Sequence, residues 1–132
     1  MATQGLSNKR VLVIEDSHTQ AMHLQALLET SGLHVLVASD GRSGLQTARE
    51  ANPDLVVLDL EMPGMNGFQV CQELKTARET AGIPVIMLTR HDDGDTVVLG
   101  LQVGADEYIP KDAFSDAVLL ETLRQMGVLA VE

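Results

Sequence analysis

Five short apolar runs, each followed by a stretch of helical period, constrain this chain more than any other feature. The runs are Arg10-Val11-Leu12-Val13-Ile14, His34-Val35-Leu36-Val37-Ala38, Leu55-Val56-Val57-Leu58-Asp59, Pro84-Val85-Ile86-Met87-Leu88 and Glu107-Tyr108-Ile109. Each has strand length and is bounded by turn-forming residues. An unbroken apolar run of this length reads as a strand buried on both faces. Between the runs, apolar residues recur at helical spacing. Ala21, Leu24, Leu27 and Leu28 mark a helix over Gln20–Thr30, and Leu45 and Ala48 one over Ser43–Ala51. Phe68, Val70, Cys71, Leu74 and Ala77 mark one from Gly67 to about Thr80. Val97, Val98, Leu101 and Val103 follow the polar turn Asp92-Asp93-Gly94-Asp95. A last helix, capped by Asp112 or Ser115, runs to about Met126. Strict β-α alternation with short connections predicts an α/β fold, a five-stranded parallel sheet with helices on both faces, doubly wound by right-handed crossovers.

At 132 residues, one domain is expected. Its expected bounds are residues 10–127, flanked by tails over 1–9 and 128–132. Lone Cys71 can form no intramolecular disulfide. No apolar run has the length of a membrane span and Met1–Asn8 has no apolar segment, so a cytoplasmic location is expected. The formal charge of −10 argues against direct nucleic-acid binding, which needs Lys and Arg to neutralise phosphates.

The strand ends carry the chemistry. In a parallel sheet all C-terminal ends lie on one edge, where ligands bind. Here they bear Glu15-Asp16, Asp59, Thr89 and Lys111. Three carboxylates brought together repel one another unless a cation lies among them, and hard oxygen donors suit Mg2+. A hydroxyl from Thr89 and a point charge from Lys111 can hold phosphoryl oxygens. The set reads as phosphoryl transfer to an Asp nucleophile.

Four segments carry a family resemblance: Val13-Ile14-Glu15-Asp16, Leu58-Asp59-Leu60-Glu61-Met62-Pro63-Gly64-Met65-Asn66-Gly67, Met87-Leu88-Thr89 and Gly104-Ala105-Asp106-Glu107-Tyr108-Ile109-Pro110-Lys111. In this order the chain resembles a response-regulator receiver domain of two-component signalling, from about Arg10 to Met126. The resemblance implies a flavodoxin-like (βα)5 fold with sheet order 2-1-3-4-5. It implies that Asp59 is the phosphoacceptor, becoming an aspartyl phosphate. Mg2+ would be held by Asp16, Asp59, Glu15 (mostly through water) and the backbone carbonyl of Glu61. Thr89 would bind the phosphoryl group and shift towards it, Lys111 would pair with Asp59, and Tyr108 would swing inward behind Thr89. The implied donor is a histidine kinase or phosphotransfer protein. The implied output is a changed surface on the fourth helix, fifth strand and fifth helix, read by a downstream protein, a covalently linked domain or a second copy in a homodimer. Autophosphorylation and autodephosphorylation would be its only catalysis. A stand-alone receiver and a piece of a hybrid sensor kinase or multidomain regulator both remain open.

Glu61 and His91 stand two residues after Asp59 and Thr89, flanking the path of attacking water in this family, and are expected to tune the phosphate's lifetime. His18, His23 and His34 are expected to be surface residues. Two departures from the family pattern stand out. Lys111 is followed by Asp112 rather than Pro, so a trans bond is expected there, and Glu15 replaces a common Asp. A small phosphatase of the haloacid-dehalogenase type is the alternative; it would want Asp where Glu61 stands. A flavin or nucleotide module lacks its glycine-rich signature here.

Overall fold

The computed structural model describes residues 9–62, 64–90 and 94–129. The elements alternate as β1 (Arg10–Ile14), α1 (His18–Thr30), β2 (His34–Ala38), α2 (Gly41–Ala51), β3 (Leu55–Asp59), α3 (Gly67–Thr76), β4 (Val85–Thr89), α4 (Gly94–Gln102), β5 (Glu107–Pro110) and α5 (Ser115–Gln125). All paired strands are parallel, in the order β2-β1-β3-β4-β5. This is the expected sheet.

Successive strand residues point to opposite faces, so the sheet divides the core in two. Leu12, Ile14, Val56, Leu58 and Met87 pack with Leu45 and Ala48 of α2 and with Val70, Cys71 and Leu74 of α3. Val11, Val13, Leu55, Val57, Ile86 and Leu88 pack with Leu24 and Leu28 of α1 and with Leu119 and Leu123 of α5. β3 and β4 are buried along their whole length, which accounts for their lack of polar alternation. Burying a Leu or Ile side chain contributes about 1.5–3 kcal/mol, so this double layer is the main source of stability. Val128 and Leu129 are buried against the second layer, so packing continues past α5.

Helix boundaries differ from the sequence reading where side chains cap the backbone. Asp40 is the N-cap of α2 and accepts the Ser43 N–H at 2.7 Å, so the helix starts at Gly41 instead of Ser43. Ser17 caps α1 and starts it at His18. α3 ends at Thr76 instead of near Thr80, because the buried Thr80 hydroxyl donates to the Leu74 carbonyl at 2.7 Å and satisfies the helix end. Asn66 and Gln69 form a reciprocal capping box that sets where the β3–α3 loop becomes helix. Before α5, the Asp112 side chain accepts the Phe114 N–H at 2.8 Å, and Phe114 itself, without a side-chain cap, is the N-cap residue. Asp92 and Asp93 of the expected polar turn, and Pro63, lie outside the described residues.

Candidate functional site

The β3 end sets the site. Asp59 is 4% exposed and is tied by register to Leu88 of β4. The following loop closes tightly over it. A Cβ on Gly67 would lie 2.7 Å from Leu60 Cα and 2.8 Å from the Asp59 carbonyl oxygen, so only glycine fits there without moving the backbone beneath Asp59. The Glu61 N–H approaches Asp59 Oδ1 at 3.4 Å.

Lys111 reaches the same oxygen from β5. Its backbone N–H donates to the Thr89 carbonyl, anchoring the β5–α5 loop to the end of β4. Its Nζ donates to Asp59 Oδ1 at 2.8 Å and to Gln20 Oε1 at 2.9 Å. Glu15 Oε1 lies 3.6 Å from the same ammonium. The Lys111–Asp112 peptide bond is trans, as expected.

Glu15 and Asp16 follow β1. Glu15 is 2% exposed, and its Oε2 accepts the Ser17 N–H at 3.1 Å. Its Oε1 is buried and makes no hydrogen bond. Burial, with the nearby Asp59 charge adding to it, pushes the Glu15 carboxyl up to about 7, against the lowering effects of the Ser17 N–H and Lys111. Asp16 is exposed. One carboxylate oxygen from each of Glu15, Asp16 and Asp59 lies within 4.8 Å of the others. A hard divalent cation fits this donor set: it would give the unbonded Glu15 Oε1 a partner and relieve the mutual repulsion of the acids.

Thr89 is fully buried, and its hydroxyl donates to Glu61 Oε2 at 2.5 Å. The sequence reading placed Thr89 towards the phosphoryl group and gave the Glu61 side chain no part in holding it. Gln20, Ser17 and Arg90 also line the acid pocket, with Glu15, Asp16, Asp59, Glu61 and Lys111. Gln20 and Arg90 were missed. The signal for Gln20 was a polar residue four positions before Leu24, on the inward row of α1. His91 lies outside the described residues.

Tyr108 is half-buried and packs against the first core layer. Its ring lies directly on α4. A Cβ at Gly100 would come within 2.9 and 3.0 Å of its Cδ2 and Cε2. α4 is therefore seated through Gly100, its sole buried residue, and leaves Val98, Leu99 and Leu101 exposed, although the sequence pattern marked Val98 and Leu101 as part of an apolar stripe. Gly100→Ala is expected to displace the ring while changing stability by less than about 1 kcal/mol, because the gain in helix propensity offsets the repacking. Tyr108 is the one tyrosine and there is no tryptophan, so near-ultraviolet circular dichroism and tyrosine emission read it alone. Unchanged spectra would contradict this seat.

Strand order, converging acids, Thr and Lys together define a phosphoryl-accepting signalling module. The family model of the response regulator receiver domain matches residues 11–124, and the chain belongs to that family. It is 40% identical to protein PilH of Pseudomonas aeruginosa over 114 residues, 86% of this chain and 93% of PilH. It is 46% identical to the DNA-binding response regulator MtrA of Mycobacterium tuberculosis over 103 residues, 78% of this chain but 44% of MtrA. The chain thus spans nearly all of one relative and less than half of the other. Among solved structures, chemotaxis protein CheY4 of Vibrio cholerae superposes with a TM-score of 0.83 at 29% identity, covering 90% of this chain and 98% of CheY4.

Receiver domains are signalling proteins that bind Mg2+ and interact with histidine kinases and downstream effectors. The phosphatase alternative gains no support from these relatives. Among the described residues, no helix is long and apolar enough to cross a membrane.

Proposed function

We propose that Asp59 is the phosphoacceptor of this receiver domain and that the working unit, expected over residues 10–127, runs on to Leu129, which packs with Val128 into the second core layer. The observation that carries the reading is a buried Asp59 bonded to Lys111, with two further carboxylates within 4.8 Å. An Asp59 carboxylate oxygen attacks the phosphorus of a phosphohistidine donor on a histidine kinase or phosphotransfer protein. The new O–P bond forms as the P–N bond breaks, and the imidazole leaves with the electron pair. Lys111 keeps its charge beside the reacting oxygen, and Thr89 leaves Glu61 to donate to a phosphoryl oxygen. Glu15, Asp16, Asp59 and the Glu61 carbonyl hold Mg2+, which when bound neutralises charge on the phosphoryl oxygens. Departure of Thr89 lets Tyr108 turn inward and alters the face made by α4, β5 and α5. The exposed Val98, Leu99 and Leu101 offer that face to a downstream protein, a linked domain or a second copy. The net charge of −10 works against direct contact with nucleic acid, and in this reading the domain acts in the cytoplasm, where its kinase partner phosphorylates it.

The raised Glu15 carboxyl gives this reading a pH signature. Its folded value of about 7 exceeds the ordinary 4.5, so the stability it contributes is full below about 4.5 and is lost as pH rises through 7. The metal-free protein should lose up to about 3 kcal/mol over that window from this group. Mg2+ should bind more tightly as pH rises through it. Glu15→Gln should flatten both trends in denaturant unfolding and calorimetric titration. A slope unchanged by Glu15→Gln would remove Glu15 from the metal set.

Glu61 and His91 set the lifetime of the aspartyl phosphate in this account. Glu61 already holds Thr89 in the resting state. Timing phosphate release from Glu61→Ala and His91→Ala should show a change of about threefold or more in at least one variant, on the order of the loss of one hydrogen bond. Wild-type rates in both would exclude the pair.

A further inference from the structure

Gln20 stands in the first turn of α1, where its backbone N–H is held by the Ser17 hydroxyl at 3.3 Å. Ser17 in turn donates its own N–H to Glu15 Oε2. The side chain closes a ring through the site: Glu15 to Ser17, Gln20, Lys111 and back to the acids. An ammonium has three donors and no acceptor, so the amide oxygen of Gln20, not its nitrogen, must face Lys111. Three acceptors lie around that ammonium, and its position decides which of them it bonds. Asp59 Oδ1 and Gln20 Oε1 are within bonding distance, and Glu15 Oε1, at 3.6 Å, is not. Glu15 Oε1 is buried and without a hydrogen bond, which is costly. A shift of less than 1 Å would bring Lys111 Nζ into bonding distance of Glu15 Oε1, whose carboxylate is fixed from the other side by the Ser17 N–H.

We infer that Gln20 is a positioning residue: it holds Lys111 on Asp59 and so keeps Glu15 open to the cation. The inference rests on the metal and phosphoacceptor assignments proposed above. Were Gln20 to lose its acceptor, Lys111 would settle onto Glu15, compete with Mg2+ for the acids and withdraw from the oxygen that accepts the phosphoryl group. Methionine matches Gln20 in length and fills the same space but accepts no comparable bond from an ammonium. Glutamate keeps the acceptor.

The test uses the full chain carrying Gln20→Met or Gln20→Glu, each also combined with Lys111→Ala. Mg2+ is titrated calorimetrically without phosphodonor at pH 8, and labelling by acetyl phosphate is timed at saturating Mg2+. Gln20→Met should weaken Mg2+ binding and slow labelling, each about three- to tenfold, as expected for one hydrogen bond to a charged group. Gln20→Glu should keep Mg2+ binding at least as tight as wild type. In the Lys111→Ala background, Gln20→Met should change Mg2+ binding no further. Wild-type Mg2+ affinity in Gln20→Met would overturn the inference, as would an equal loss with and without Lys111, which would mean a packing role. A wild-type chain that itself fails to bind Mg2+ would overturn the metal assignment, and this inference with it.

Discussion

Lys111→Ala is expected to destabilise the metal-free protein by about 2–4 kcal/mol at pH 8, as removal of one partner from a buried ion pair does. The Lys111 ammonium is the one cation within 4 Å of Asp59 and Glu15 among the described residues. Both acids are almost fully buried, and Asp16 adds a third charge at the edge. Without Lys111 the buried carboxylates face each other with no opposing charge, and desolvation is no longer offset. Two further outcomes distinguish this cause from lost packing. Millimolar Mg2+ should restore much of the stability, since a cation replaces a cation. Lowering the pH to 5 should also narrow the gap to wild type, because a protonated Glu15 no longer repels Asp59. Urea unfolding with and without Mg2+ at the two pH values measures all of this. A variant as stable as wild type, or a loss indifferent to Mg2+, would mean that Lys111 does not hold these acids.

The reach of the sequence differs between strands, caps and side chains. β1 and β3 occupy the expected residues because strands buried on both faces must be apolar throughout, and little else in a chain looks like that; β2 also starts and ends where expected, but as an edge strand it leaves His34 and Val37 exposed. The convergence of Glu15, Asp16, Asp59 and Lys111 was legible for a topological reason: a parallel sheet has one C-terminal edge, and any residue at a strand end lies there. Helix ends were less legible. Asp40 could be a turn residue or a cap, and the choice depends on whether Gly41 enters the helix to pack beneath Val70 and Met65. Thr80 ends α3 from a position its own neighbours do not reveal, by folding back onto Leu74. Least legible were Gln20 and the side chain of Glu61. The first meets Lys111 from 91 positions away and the second meets Thr89 from 28 away, each through a rotamer choice that no period encodes.

Asp59→Asn is the substitution with the largest expected effect, because it removes the nucleophile and little else. Asn has the same shape, and its carbonyl can still accept from Lys111, so the fold should persist. Removal of one charge from the acid cluster relieves repulsion with Glu15 and Asp16. Thermal stability without metal at pH 8 should therefore stay within about 1–2 kcal/mol of wild type. Reactivity should not survive, since a neutral amide does not attack phosphorus under these conditions. The decisive measurement is the incorporation of labelled phosphoryl from acetyl phosphate into wild type and Asp59→Asn, with Mg2+ and with a chelator in its place. Wild type should incorporate a base-labile label only when Mg2+ is present, and Asp59→Asn should incorporate less than about one-hundredth as much, the order expected when a covalent nucleophile is lost. Equal labelling of a folded Asp59→Asn protein would contradict the assignment of Asp59, and wild-type labelling that persists in the chelator would contradict the metal set built around it.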